Sequence, residues 1–80
     1  DPYRPLVGAV RRDGLVKVSA RCSRLLALGH VNLAKAMREA GRRTGGDGGG
    51  HATAAGAQID EKKLPEFIDI LEENLLRQMT

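Results

Sequence analysis

Three glycines followed by a histidine, Gly48-Gly49-Gly50-His51, are the residues of this chain best suited to chemistry. Seven of the ten glycines lie between Gly41 and Gly56. Backbone N–H groups without a neighbouring Cβ can approach an anion closely, and an imidazole can add a hydrogen bond or a charge. The run therefore predicts a phosphate-binding loop.

A flexible connector is the alternative for a glycine run, and composition alone does not exclude it. Two details favour binding. The run lacks the Ser, Gln and Glu padding of linkers, and it leads directly into Ala52-Thr53-Ala54-Ala55-Gly56, whose small side chains permit close backbone packing. It does not match the established nucleotide motifs, because no Gly-Lys-Ser/Thr ends it and it does not join a first strand to a helix.

A second pair of polar side chains, Ser19 and Arg21, lies at the end of a strand-like run. Two β-prone segments, 6–12 and 15–21, flank the pair Asp13-Gly14. Apolar alternation around a two-residue Asp-Gly turn is the pattern of a β-hairpin. The sequence therefore predicts that these two segments pair as antiparallel strands.

The predicted hairpin places three polar side chains on one face. In its register Val10 lies opposite Lys17, and because side chains alternate along a strand, Lys17, Ser19 and Arg21 point the same way. A guanidinium can form a forked pair with a phosphate, and a hydroxyl can contact one as well. The alternative role for Arg21 is a surface ion pair.

The elements after the hairpin are weaker in pattern. Asn32 is a good N-cap, and helical spacing of apolar residues predicts a helix from Asn32 to Ala40, with Gly41 as its stop. Residues 42–50 are predicted as a loop, 51–55 as one helical turn, and 57–59 as a short strand.

A last helix is predicted from Pro65, a residue that suits the first turn of a helix. Its apolar stripe consists of Leu64, Phe67, Ile68, Leu71 and Leu75, and its solvated face of Glu66, Asp69, Glu72 and Glu73. The element order is β-β-α-loop-β-α. It predicts an α/β fold of the α+β type, with a small mixed β-sheet flanked by helices.

Charge is distributed unevenly over the 80 residues. Residues 1–43 hold ten basic and three acidic side chains, whereas residues 44–80 hold three basic and seven acidic ones. A basic half suits a polyanionic partner, and a solvated surface without a partner is the equal alternative. The single cysteine allows no internal disulfide, which fits the cytoplasm, and no apolar stretch is long enough to cross a membrane.

The motifs together resemble a known family. The string from Gly48 to Gly56 is similar to the Gly-Gly-Gly-His-x-x-Ala-Ala-Gly signature of the DHH-associated C-terminal domain. The run Val16–Arg21 resembles that family's strand ending in Ser-x-Arg, and the likeness spans about Val7 to Leu76. One departure is Cys22, where many relatives carry Ser, although Ser23 follows directly.

This resemblance implies a division of labour. In RecJ-like nucleases, oligoribonucleases and related phosphoesterases, a separate DHH domain holds two divalent metals, manganese or magnesium, whose bound water attacks a phosphodiester. The associated domain grips the nucleic acid or nucleotide. Residues 1–5 are then an interdomain linker and residues 6–80 the substrate-binding domain, with the N-terminal DHH domain of the same chain as its partner. The domain itself is expected to hold no metal and to hydrolyse nothing.

The resemblance and the residues agree on a set of phosphate-binding candidates: Ser19, Arg21, Gly48, Gly49, Gly50 and His51. The alternative role for His51 is a structural hydrogen bond that fixes the loop. Weaker candidates, which would follow a phosphate backbone through charge alone, are Arg24, Arg42 and Arg43. Cys22 is expected to fill a small buried space, and His30 is assigned no role.

The substrate stays open at this point. Single-stranded DNA, short RNA, a phosphoadenosine nucleotide or a cyclic dinucleotide could each use the same grip, and the near absence of aromatic residues argues against base stacking. Two further functions remain. One is an interaction module of a catalytically degenerate, replication-associated relative. The other is a tRNA-binding domain related to the C-terminal domain of alanyl-tRNA synthetases.

Overall fold

Residues 2–80 are described by a computed structural model, in which four strands form one sheet. The elements in chain order are β1 (Leu6–Arg12), β2 (Leu15–Arg21), α1 (Arg24–Leu28), α2 (Leu33–Arg43), β3 (Asp47–His51), β4 (Ala54–Asp60), a single 3-10 turn (Glu61–Lys63) and α3 (Leu64–Met79). The predicted α+β class is confirmed.

The sheet has the order β1-β2-β4-β3, and each neighbouring pair of strands is antiparallel. The prediction of a mixed sheet is therefore wrong. Strands β2 and β3 do run in the same direction, because each is antiparallel to β4. However, β4 lies between them, so β2 and β3 do not hydrogen-bond to each other. The connection from β2 to β3 through α1 and α2 crosses β4.

The β1–β2 hairpin forms in the predicted register. Val10 lies opposite Lys17. Asp13 and Gly14 both have positive φ, 54° and 80°. Two successive residues with positive φ are what a tight hairpin turn requires, and Asp-Gly adopts them at low cost. Sequence and tertiary structure therefore agree in this part of the chain.

Helix α2 begins as predicted but ends three residues later than expected, at Arg43 instead of Ala40. The Asn32 side chain caps its start by accepting from the Lys35 N–H at 3.1 Å. Gly41 does not stop the helix. A Cβ at this position would lie 2.6 Å from the Asp47 carbonyl oxygen, so the glycine lets α2 lie directly against β3.

The glycine run does not form the predicted loop, because residues 47–51 are the edge strand β3. A Cβ at Gly48 would lie 2.7 Å from the Met37 carbonyl carbon and closer still to its oxygen. Gly48 is therefore required for the close packing of β3 against α2, as Gly41 is on the helix side. The predicted helical turn at 51–55 is also wrong, since Ala52 and Thr53 form a two-residue turn between β3 and β4.

Two hydrogen bonds hold this turn against the rest of the fold. The Leu33 N–H donates to the Ala52 carbonyl at 3.0 Å, and the Cys22 N–H donates to the Thr53 carbonyl at 3.0 Å. The start of α2 and the end of β2 are thereby fixed beside the β3–β4 turn. His51, the last residue of β3, lies next to this anchored corner.

Both long helices pack on one face of the sheet. Pro65 lies in the first turn of α3 as predicted. Three of the predicted stripe residues, Phe67, Leu71 and Leu75, are buried, while Leu64 and Ile68 are half-buried against them. Ile70 is buried in addition. Alternate residues of β2 complete this core, namely Val16, Val18 and Ala20.

Candidate nucleic-acid interface

The opposite face of the sheet carries the candidate residues, and no helix of residues 2–80 covers its polar side chains. The β2 side chains on this face are exposed. Residues that lie directly opposite each other in antiparallel strands share a face. Strand register therefore determines which of the candidates meet.

One cross-strand row on this face consists of four small residues: Gly8, Ser19, Gly56 and Gly49. Each comes from a different strand, so the row crosses the whole sheet. Its only side-chain heavy atoms are those of Ser19. The row is a shallow trough in which backbone atoms lie open to an approaching ligand.

The next row aligns two of the predicted binding residues. Arg21 lies opposite Ala54 in β4, and Ala54 lies opposite His51 in β3. With strands spaced about 4.8 Å apart, the Arg21 and His51 backbones are on the order of 10 Å apart. Only the methyl group of Ala54 stands between them, so both side chains can reach one ligand in the trough.

The row on the other side of the trough adds a cation, Lys17, that was not among the predicted binding residues. Lys17 lies opposite Gln58, and Gln58 lies opposite Asp47. These three residues line a shallow cavity of about 370 Å³ together with Gly49 and Gly56. The alternation that predicted the Ser19 and Arg21 face also placed Lys17 on it, and this was the signal for including Lys17.

The donor side chains of this face are free to bind. Within the part of the chain described, neither a salt bridge nor a side-chain hydrogen bond holds Lys17, Arg21 or His51. Neither alternative, an ion pair for Arg21 or a structural hydrogen bond for His51, is present in this arrangement. An anion in the trough would have at least two donors beside it.

The three glycines of the signature face in different directions. Gly49 lies on the open face, and nothing comes within 4 Å of the position of a Cβ there. Gly48 and Gly50 pair with Ala57 and Ala55, whose side chains belong to the helix-covered face. The structure brings Ser19, Arg21, Gly49 and His51 to the open face, while Gly48 and Gly50 lie on the helix-covered face. As an edge strand, β3 leaves part of its N–H groups unpaired by the sheet.

The weaker candidates lie outside the trough. Arg24 is exposed on α1, and Arg42 and Arg43 are exposed at the end of α2. Arg43 forms a salt bridge with Glu39 at 3.6 Å. His30 has a positive φ of 80° in the connection after α1.

Cys22 stands where many members of the resembled family carry Ser, and both Cys22 and the neighbouring Ser23 have structural roles. Cys22 is half-buried, its Sγ donates weakly to the Ala52 carbonyl oxygen at 3.5 Å, and burial raises the pKa of its thiol. Ser23 does not extend the site. Its hydroxyl accepts from the Leu26 N–H at 3.2 Å to cap α1 and donates to the Pro2 carbonyl oxygen at 2.5 Å.

Among residues 2–80, no three His, Cys, Asp or Glu side chains lie close enough to hold a metal ion. Over the same residues, no helix is long and apolar enough to cross a membrane.

Comparison with known proteins decides the family. The family model of the DHHA1 domain matches residues 3–76, which is nearly the whole chain. The chain belongs to the DHHA1 domain family. This confirms the resemblance to the DHH-associated C-terminal domain, whose signature runs through β3, the turn and β4.

Two relatives show how this domain occurs in larger proteins. The chain is 36% identical over 76 residues to an uncharacterized protein of Methanocaldococcus jannaschii, and the match covers 95% of this chain but only 17% of that protein. The fold also matches the crystal structure of the C-Ala domain from Aquifex aeolicus alanyl-tRNA synthetase. That match has a TM-score of 0.72 and 29% sequence identity, and it covers 84% of this chain and 60% of that chain.

Proposed function

We propose that this DHHA1 domain binds the phosphate groups of single-stranded nucleic acid or nucleotides in the trough of its open sheet face. It would serve as the substrate-binding domain of a DHH-family, RecJ-like phosphoesterase or single-strand nuclease. The observation that carries the proposal is the cross-strand alignment of Ser19, Gly56 and Gly49 beside Arg21 and His51.

The trough suits a phosphate better than a base. Arg21 offers a forked set of donors that matches phosphate oxygens, and Ser19 and His51 add a hydroxyl and an imidazole. The four strands themselves carry no Phe, Tyr or Trp side chain, and Phe67 of α3 is fully buried in the core. Without a stacking platform, affinity is expected to come from backbone contacts and to depend little on base sequence.

Hydrolysis would require groups from elsewhere in a longer protein. The DHH domain of that protein would supply a manganese or magnesium pair, and these metals would activate water against the phosphodiester. The residues described here do not fit such a centre, as noted above. This domain's own task would be to hold the phosphodiester backbone, with Arg21 and His51 orienting phosphates toward the catalytic domain.

A binding titration with a matched control tests this function. We expect the 80-residue chain to bind a fluorescently labelled single strand with an affinity that falls steeply with salt. Arg21→Ala should weaken binding about tenfold or more, because a charge-assisted hydrogen bond contributes about 1.5–3 kcal/mol. Arg11→Ala removes the same side chain from β1, at a position opposite buried Val16 and therefore on the other face of the sheet. It should change affinity by less than about twofold.

The outcome that contradicts the proposal is equally specific. Binding that ignores salt, or equal losses in Arg21→Ala and Arg11→Ala, would show that the open face does not hold the nucleic acid. Equal losses would instead indicate a response to net charge alone.

A second candidate function, tRNA binding, is favoured by the structural match to the C-Ala domain of an alanyl-tRNA synthetase. The two candidates differ in the form of RNA that they need. A tRNA-binding domain should prefer a folded tRNA over a single strand of equal length by about tenfold or more, since folded RNA is recognised largely by shape. Equal or tighter binding of the single strand favours the phosphoesterase role.

A further inference from the structure

Helix α2 carries two exposed cations on the side next to the edge strand. Arg38 and Arg42 are four residues apart, so they lie about 6 Å apart on one face of the helix. Each follows a residue that contacts β3, since Met37 and Gly41 are the positions where helix and strand backbones meet. Arg38 and Arg42 come one residue further around the helix, which places them on the flank of α2 beside β3, the edge strand of the sheet.

Neither arginine has a partner among the described residues. The salt bridge on α2 joins Arg43 to Glu39, on the side of the helix that faces α3, where Glu39 also accepts from the Asn74 amide. Like charges at i and i+4 destabilise a helix slightly. Favourable interaction with the helix dipole can explain Arg42 in the last turn, but it does not extend to Arg38 in mid-helix.

The position of this pair continues the trough. The small-residue row ends at Gly49 on β3, which is the edge of the sheet. Gly41 and Gly48 bring α2 against that strand, so the flank of α2 that carries Arg38 and Arg42 lies beside the edge of the sheet. A phosphate chain that crosses the row toward Gly49 would next meet Arg38 and Arg42. In contrast, the exposed face of α3 is acidic, with Glu66, Asp69, Glu72 and Glu73.

We infer that Arg38 and Arg42 form a second phosphate-binding surface, reached by a single strand that leaves the trough at Gly49 and passes over the edge of β3. This inference rests on the proposed function of the open face. Its occupant is the same single-stranded nucleic acid, extended by several nucleotides. A longer strand should therefore bind more tightly than a short one.

Two oligonucleotide lengths separate the two surfaces. A single strand of about three nucleotides fits the trough, and one of about twelve can also reach α2. We expect Arg38→Gln/Arg42→Gln to bind the short strand within about twofold of the parent and the long strand about tenfold more weakly. For the long strand, the slope of log affinity against log salt should fall by about 1.4, or about 0.7 for each lost contact.

The matched control removes two cations that belong to neither β3 nor α2. Lys62 and Lys63 lie on the 3-10 turn that follows β4. Lys62→Gln/Lys63→Gln changes the net charge equally and should alter neither affinity by more than about twofold. Circular dichroism spectra matching the parent would confirm that both double variants are folded.

Three results with the variants would overturn the second surface. They are parent-like binding of the long strand by Arg38→Gln/Arg42→Gln, equal weakening of both lengths, and an equal effect of the lysine control. The second surface would also be excluded if the parent chain bound the long strand no more tightly than the short one. Arg21→Ala distinguishes this failure from failure of the proposed function, because loss of the trough must weaken both lengths.

Discussion

The two faces of the β3–β4 hairpin use glycine for different purposes. On the helix-covered face, Gly48 lies against the backbone of α2, and any side chain there would collide with Met37. On the open face, no atom lies within 4 Å of the position that a Cβ on Gly49 would take. The glycines of one signature are therefore not equivalent. One makes the fold possible, whereas the other leaves a surface unobstructed, and substitutions can separate these tasks.

The largest effect should come from the helix-covered face. Gly48→Ala places a methyl group inside contact distance of the Met37 carbonyl, and neither backbone can retreat without separating α2 from β3. We expect a loss of about 3 kcal/mol or more in the free energy of unfolding. Urea denaturation followed by circular dichroism measures it. Parent-like stability would show that α2 and β3 are not held as closely as described.

Gly41→Ala tests the same contact from the helix side. Its methyl group would meet the Asp47 carbonyl oxygen at 2.6 Å, but replacing a helical glycine by alanine also returns up to about 1 kcal/mol of helix propensity. The net loss should be smaller than for Gly48→Ala, about 1–2 kcal/mol, in the same denaturation experiment. A net gain in stability would mean that the packing constraint at this position is weak.

Gly49→Ala should leave stability unchanged and reduce binding. With no atom near the new methyl group, the free energy of unfolding should change by less than about 0.5 kcal/mol. The methyl group would stand in the trough between Gly56 and the sheet edge, so single-strand affinity should fall about three- to tenfold. An affinity equal to the parent's would place the ligand away from this row.

The smallest effect concerns the thiol that holds the hairpin turn. Burial raises the pKa of Cys22, so its reactive thiolate is scarcer at neutral pH than that of an exposed cysteine. Alkylation of the folded chain at pH 7 should be several-fold slower than alkylation of free cysteine, and the rate should rise with pH. Equal rates at pH 7 would indicate that the Ala52 turn opens readily and exposes the thiol.

Local signals predicted the β1–β2 hairpin and the start of α2, whereas α1 was not predicted. Asp13-Gly14 specified a hairpin turn, alternation assigned the faces of β2, and Asn32 marked the start of α2. Strand β3 escaped prediction because glycine has low β-propensity and carries no side chain to form a pattern. Its extended form depends on α2 and β4, which are distant contacts that a local reading does not contain.

The candidate site was predictable one strand at a time but not as an arrangement. Alternation put Ser19 and Arg21 on one face, and the signature pointed to His51. Their alignment depends on β4 lying between β2 and β3, so that Ala54 links Arg21 to His51. Strand order is set by packing of the whole domain. For this reason the sequence predicted a phosphate-binding loop, whereas the structure shows a trough that crosses four strands.

A phosphate chain that lies across the open face should change the chemical shifts of the backbone amides there. In a titration of the isotopically labelled chain with a single-stranded oligonucleotide, we expect the largest changes at Ser19, Arg21, Gly49, His51 and Gly56. Amides of α3 should stay nearly unchanged. Changes concentrated on α3 or on the β1 edge, with the trough unaffected, would show that the phosphate chain does not bind the open face.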